Sequence, residues 1–213
     1  MTIDAHPIFA ALKACPIVPV LTLYDENHAA SLAAALWDAG ITTAEITLRT
    51  PQALPSIGAM KAAAPELCVG AGTILSVDDL NAALEAGSDF IVTPAVSSKL
   101  LPALKAVSVP VFPGVATPSE ALELYDHGFE CVKFFPAESN GGVPALKSMA
   151  SPLPKIKFMP TGGINGDSAP HYLALPNVIA VGGSWMVDQQ AVNAQNWASV
   201  KATALRARES LQP

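Results

Sequence analysis

The chain is poor in charge. Asp, Glu, Lys and Arg together make up 14% of its 213 residues, where an ordinary soluble domain carries about a quarter. Only 12 residues are Lys or Arg, the net charge is −6, and no basic run occurs, so a nucleic-acid partner is excluded on electrostatic grounds. Apolar runs are strand-sized and none reaches the ~20 residues of a membrane span, so no membrane partner is expected. The three cysteines, Cys15, Cys68 and Cys131, are odd in number and far apart, without a CxxC pattern. That argues against a disulfide framework and for a reduced, cytoplasmic setting. Met1-Thr2-Ile3-Asp4-Ala5-His6 lacks the cationic start and apolar core of a signal peptide. The four histidines, His6, His28, His127 and His171, fall in the N-terminal segment, helices or connections. With no HExxH pattern, no metal site is expected, and Ser/His/Asp or Cys/His catalysis is disfavoured for the same reason. No low-complexity linker divides the chain, so a single domain over residues 1–213 is expected.

What the chain has instead is a regular alternation. Hydrophobic residues make up 51% and gather into eight strand-like stretches, at 17–23, 43–49, 68–74, 90–95, 109–116, 129–137, 157–161 and 178–184. Helical stretches separate most of them and carry legible punctuation. Asp25 or Asn27 can cap a helix that Gly40 ends, Ser76 can cap one that Gly87 closes, and Thr117-Pro118-Ser119-Glu120 opens another. A short helix over 8–14 precedes the first strand, and a final helix is expected over about 194–210. Eight βα units predict a single-domain (β/α)8 TIM barrel with short loops. A doubly wound sheet uses five or six strands, and no GxGxxG follows the first one here.

In such a barrel, function sits at the C-terminal strand ends. The stretch Phe129-Glu130-Cys131-Val132-Lys133-Phe134-Phe135-Pro136-Ala137 has one break in its apolar character, a lysine. Residues two apart share a strand face, which places Cys131, Lys133 and Phe135 together. A lysine among apolar neighbours is desolvated, and a partly neutral lysine is a nucleophile for ketones. In the second strand Ala44, Ile46 and Leu48 form an apolar face against the helices. Glu45, Thr47 and Arg49 form the other face, where charge is costly unless paired or used. Glu45 is the only carboxylate on the inward faces read this way, and so the candidate acid/base; Arg49 offers a bidentate fork for a carboxylate. Thr73, Pro94, Thr161 and Ser184 stand at other strand ends. Two glycine pairs, Gly162-Gly163 and Gly182-Gly183, follow the last two strands, where this fold often binds phosphate through backbone N–H groups.

These residues lie in motifs through which the chain resembles the class I 2-keto-3-deoxy-6-phosphogluconate (KDPG) and 4-hydroxy-2-oxoglutarate (KHG) aldolases. The motifs are Glu45-Ile46-Thr47-Leu48-Arg49-Thr50, Gly70-Ala71-Gly72-Thr73, Thr93-Pro94, Phe112-Pro113-Gly114, Val132-Lys133-Phe134-Phe135-Pro136-Ala137, Pro160-Thr161-Gly162-Gly163-Ile164 and Gly182-Gly183-Ser184-Trp185. The resemblance implies a cofactor-free Schiff-base lyase, trimeric, working in the Entner–Doudoroff route on a small keto-acid phosphate. It implies Lys133 as the Schiff-base residue and Glu45 as the proton shuttle. Arg49 and Thr73 would hold the substrate carboxylate and Pro94 and Phe135 would contact substrate. Thr161, Gly162, Gly163, Gly182, Gly183 and Ser184 would take the phosphate. A 2-keto-3-deoxy-6-phosphogalactonate aldolase is the alternative substrate reading. A sugar-phosphate isomerase or epimerase would leave Lys133 without a covalent role, and a non-catalytic sugar-phosphate sensor would have no need for Glu45 with Lys133.

Overall fold

The computed structural model describes residues 6–211; most of the N-terminal stretch read above for a signal peptide lies outside them. Helix α1 (Pro7–Ala14) precedes β1 (Ile17–Leu21), and α2 (Ala29–Asp38) leads to β2 (Thr43–Thr47). Then follow α3 (Ala53–Ala63), β3 (Cys68–Gly72), α4 (Val77–Glu85), β4 (Ile91–Val92), α5 (Leu101–Ala106), β5 (Val111–Phe112) and β6 (Gly114–Val115). The rest is α6 (Pro118–Asp126), β7 (Cys131–Phe134), α7 (Gly142–Ala150), β8 (Lys157–Pro160), α8 (Ala169–Leu173), β9 (Val181–Gly183), α9 (Gln189–Asn193) and α10 (Trp197–Glu209). Ser76 and Thr117 cap α4 and α6 through reciprocal capping boxes with Asp79 and Glu120, two donors satisfied at each helix start.

Every strand pairing is parallel. One sheet has six strands in the order β5-β4-β3-β2-β1-β9, and a second has three, β6-β7-β8. Where the sequence suggests eight strands, nine are present among the described residues, because the fifth stretch is cut at Pro113. Proline has no N–H for the ladder, although its carbonyl still accepts from Lys133 N at 2.9 Å. On the other flank, Phe158 bridges Val178 and Thr161 bridges Gly182, both in parallel sense. The expected strand ends are also trimmed: the expected strand over 90–95 keeps only Ile91–Val92, and that over 178–184 keeps Val181–Gly183.

Strand alternation sorts the side chains into two buried groups. Ala44 and Ile46 of β2, with Val132 and Phe134 of β7, belong to the large core shared with the helices, and Leu48 packs against it. The opposite faces contribute to a smaller core in which Val18, Phe90, Val92, Phe112, Cys131, Met159 and Ala180 meet Ile8 and Leu12 of α1. Thus α1, which His6 caps through its ring nitrogen, closes the N-terminal side of the strands.

Candidate active site

Lys133 stands third in β7 and is 4% exposed; Glu45 stands third in β2 and is 1% exposed. Their strands belong to different sheets, yet Lys133 Nζ lies 3.2 Å from Glu45 Oε1 and 3.4 Å from Oε2. The pair therefore crosses from one sheet to the other. The ring centroid of Phe135 lies 5.2 Å from the same nitrogen, within cation–π reach. A buried single charge would be strongly unfavourable, and each of these two is acceptable only because the other is there. The sequence suggests desolvation as what poises the lysine; the structure adds a carboxylate directly against it.

Sequence reasoning missed Gly72. It pairs with Thr47 across β2 and β3, and a Cβ there would fall 2.6 Å from Glu45 Cδ. Only hydrogen leaves room for the carboxylate. The signal was present in Gly70-Ala71-Gly72, since glycine inside a strand marks close approach of another group.

Arg49 is placed differently from the expectation. Strand β2 ends at Thr47, so Arg49 does not share its face with Glu45 but lies exposed in the turn beyond. From there its Nε donates to Thr73 Oγ1 at 3.2 Å, which joins the two residues expected to hold a carboxylate. Thr73 has φ +62, a conformation unfavourable for a β-branched residue and one that clusters at functional sites. Pro94 and Phe135 line one cavity of about 530 Å³ together with Ser97, Gly114, Val115 and Pro136. A smaller cavity, about 200 Å³, lies among Phe9, Lys105, His127 and Phe129 and contains neither Pro94 nor Phe135.

After β8, Gly162 and Gly163 have φ +104 and +81, values that favour glycine. Thr161 is buried and Ser184 exposed. Gly182 and Gly183 each make room for a neighbour: a Cβ on Gly182 would press Thr161, and one on Gly183 would meet the Trp185 ring. The Thr161–Gly182 bridge brings the turn after β8 beside the end of β9. Among the described residues no group of three or more His, Cys, Asp or Glu stands together as a metal site.

The described site can be set beside known proteins. A family model described as KDPG and KHG aldolase matches residues 8–203. A 2-dehydro-3-deoxy-phosphogluconate aldolase of Pseudomonas aeruginosa is 42% identical over 193 residues, 91% of this chain and 88% of that protein. The crystal structure of a KDPG aldolase from Legionella pneumophila, holding pyruvate as a covalent carbinolamine intermediate, superposes with a TM-score of 0.91 at 36% identity, covering 96% of this chain and 99% of that one. A Zymomonas mobilis 2-keto-3-deoxy-6-phosphogluconate aldolase with 3-phosphoglycerate gives 0.88 at 41% identity, covering 94% of each chain.

Proposed function

This chain belongs to the KDPG and KHG aldolase family and is a carbon–carbon lyase, and on that footing we propose that it cleaves 2-keto-3-deoxy-6-phosphogluconate to pyruvate and glyceraldehyde 3-phosphate, with 4-hydroxy-2-oxoglutarate as a second substrate. The observation that carries this reading is the buried Lys133–Glu45 pair, in a chain similar to one that holds pyruvate covalently.

The chemistry starts from that pair. Passage of a proton from the Lys133 ammonium to Glu45 leaves a neutral amine facing a neutral acid. The amine attacks the C2 ketone, giving a carbinolamine. Glu45 protonates the departing hydroxyl, and loss of water leaves an iminium that accepts the electron pair of the C3–C4 bond as the C4 hydroxyl is deprotonated. The aldehyde departs, and the enamine of pyruvate is protonated at C3 and hydrolysed. Glu45 sits within hydrogen-bond reach of Nζ, the atom at which these proton transfers begin, as a general acid and base must. Arg49 and Thr73, already hydrogen-bonded to each other, take the substrate carboxylate. Pro94 and Phe135 contact the carbon chain. Thr161, the turn Gly162-Gly163 and Ser184 take the phosphate, with Gly182 and Gly183 shaping the strand beside them.

In this reading the chain is one domain, a closed (β/α)8 barrel. The single residue Pro113 links β5 to β6 and the bridges from β8 toward β9 join the two sheets on the other flank. The enzyme is a cytoplasmic homotrimer, in keeping with the low charge fraction. No helix among the described residues is long and apolar enough to cross a membrane.

Reductive trapping tests the proposal. Incubation with pyruvate and borohydride, followed by mass analysis of the whole protein and its peptides, is expected to give one stable pyruvyl adduct on Lys133. Lys133→Ala should remove both the adduct and turnover. An adduct on another lysine, such as Lys157, would overturn the assignment.

A further inference from the structure

The mechanism leaves unused one pair of titratable side chains, a buried tyrosine bonded to an exposed glutamate. Tyr172 of α8 is fully buried, and its hydroxyl donates to Glu138 Oε1 at 2.6 Å. Burial, and then the Glu138 carboxylate, push the Tyr172 phenol above its ordinary range, so it stays a donor at neutral pH. Glu138 begins the short turn after β7, the strand of Lys133, and is clasped to the turn after β8. Its N–H donates to Gly162 O at 3.1 Å, and the preceding N–H of Ala137 donates to Thr161 O at 2.8 Å. Its side chain lies over Gly163: a Cβ there would come within 2.7 Å of Glu138 Cγ. A carboxylate therefore stands one bond beyond a carbon that occupies the space a side chain at Gly163 would need, beside the glycine turn assigned to phosphate. It is itself an anion, able to accept the same backbone N–H groups.

We propose that Tyr172 is a positioning residue that tethers the Glu138 carboxylate away from the Gly162-Gly163 turn, and so sets the preference for phosphorylated over unphosphorylated keto acids. The inference rests on the assignment of that turn to phosphate. With the tether in place Glu138 braces the turn through its backbone and its carbon chain while its charge stays on the phenol. Without it, the carboxylate competes with the substrate phosphate for the turn.

The test uses three variants and two substrates. Tyr172→Phe keeps the buried ring and removes only the donor. It is expected to raise KM for the phosphorylated substrate, and Ki for inorganic phosphate as a competitor, by about tenfold, the order given by loss of a hydrogen bond to a charged group. The ratio of kcat/KM between the phosphorylated substrate and 4-hydroxy-2-oxoglutarate should fall with it, kcat for the former being nearly held. Adding Glu138→Gln to Tyr172→Phe removes the competing charge and should restore KM to within about threefold of the parent; Glu138→Gln alone should bind phosphate as well as the parent or better. An equal loss on both substrates in Tyr172→Phe, or no recovery in the double variant, overturns the tether. If inorganic phosphate fails to compete in the unmodified enzyme, the phosphate assignment falls and the tether with it. Competition that persists unchanged in Tyr172→Phe removes the tether alone.

Discussion

At the scale of single residues, the site is a problem of two buried charges. Lys133 and Glu45 are each within a few per cent of complete burial, and removing either charge leaves the other unpaired. Glu45→Gln is the informative change, because the amide keeps the shape and an acceptor oxygen while losing the proton carrier. Turnover is expected to fall by about 10²–10⁴-fold, the usual contribution of a general acid–base group, while borohydride trapping of pyruvate on Lys133 persists more slowly. Steady-state rates and trapping time courses on the same preparation check this, and unchanged turnover would remove Glu45 from the mechanism. Both residues stood out in the sequence, Lys133 as the one break in an apolar stretch and Glu45 as a charge on the polar face of an alternating strand. That they touch was not legible: they are 88 positions apart and lie on strands that are not neighbours in either sheet. The contact is a product of topology, which no local pattern encodes. The Tyr172–Glu138 bond was hidden for a like reason, since its partners are 34 positions apart.

Among the elements, type was easier to read than extent. Parallel strands and their helices follow from apolar runs and caps. Arg49, however, read as the end of a strand, stands beyond it, since β2 stops at Thr47 and the chain turns to bring Arg49 to Thr73. Helices α8 and α9 have five residues each, too few for a helical period to emerge. Gln195, at φ +54, separates α9 from α10, so the last helix starts at Trp197, where a start near 194 was expected. The register of β2 against β3 carries a consequence for catalysis. Gly72→Ala places a methyl group inside the space of the Glu45 carboxylate, on a backbone that otherwise tolerates alanine. The carboxylate must shift, and a displacement of about 1 Å in a reacting group costs on the order of 100-fold in rate. Overpacking also costs about 1–3 kcal/mol of stability. Turnover lowered about 10- to 100-fold with a modestly lowered Tm is therefore expected, read by steady-state kinetics and thermal melts. A rate within about twofold of the parent would mean that the carboxylate is free to move without cost.

Over the whole molecule, the two buried groups on opposite faces of the strands divide the work. The large core holds helices to strands, while the smaller one fills the space behind the site and is closed by α1. Cys131 belongs to the second, two positions before Lys133 on the same strand face. Burial, and after it the Glu130 charge, push its thiol from an ordinary 9.0 up to about 12. A folded-state pKa above the unfolded one gives stability that is complete below the unfolded value and is lost as pH rises through the folded one. Between about pH 9 and 12 the unfolded chain releases this proton and the folded chain keeps it, so the stability attributable to Cys131 falls across that window. By about pH 11 the loss amounts to two pKa units, or roughly 2–3 kcal/mol. For a chain of this size that corresponds to a Tm lowered by about 5–10 °C. Cys15, Cys68 and Tyr172 are also shifted upward and add to the alkaline slope in the same sense, so the difference between two proteins is what isolates Cys131. Cys131→Ala, which leaves a small void and no ionisable group, should start less stable near pH 8 but lose Tm less steeply toward pH 11, by about the 5–10 °C that the thiol accounts for. Thermal melts of both proteins across that range decide the matter: parallel declines would show that the Cys131 thiolate is no harder to form in the folded protein than in the unfolded chain.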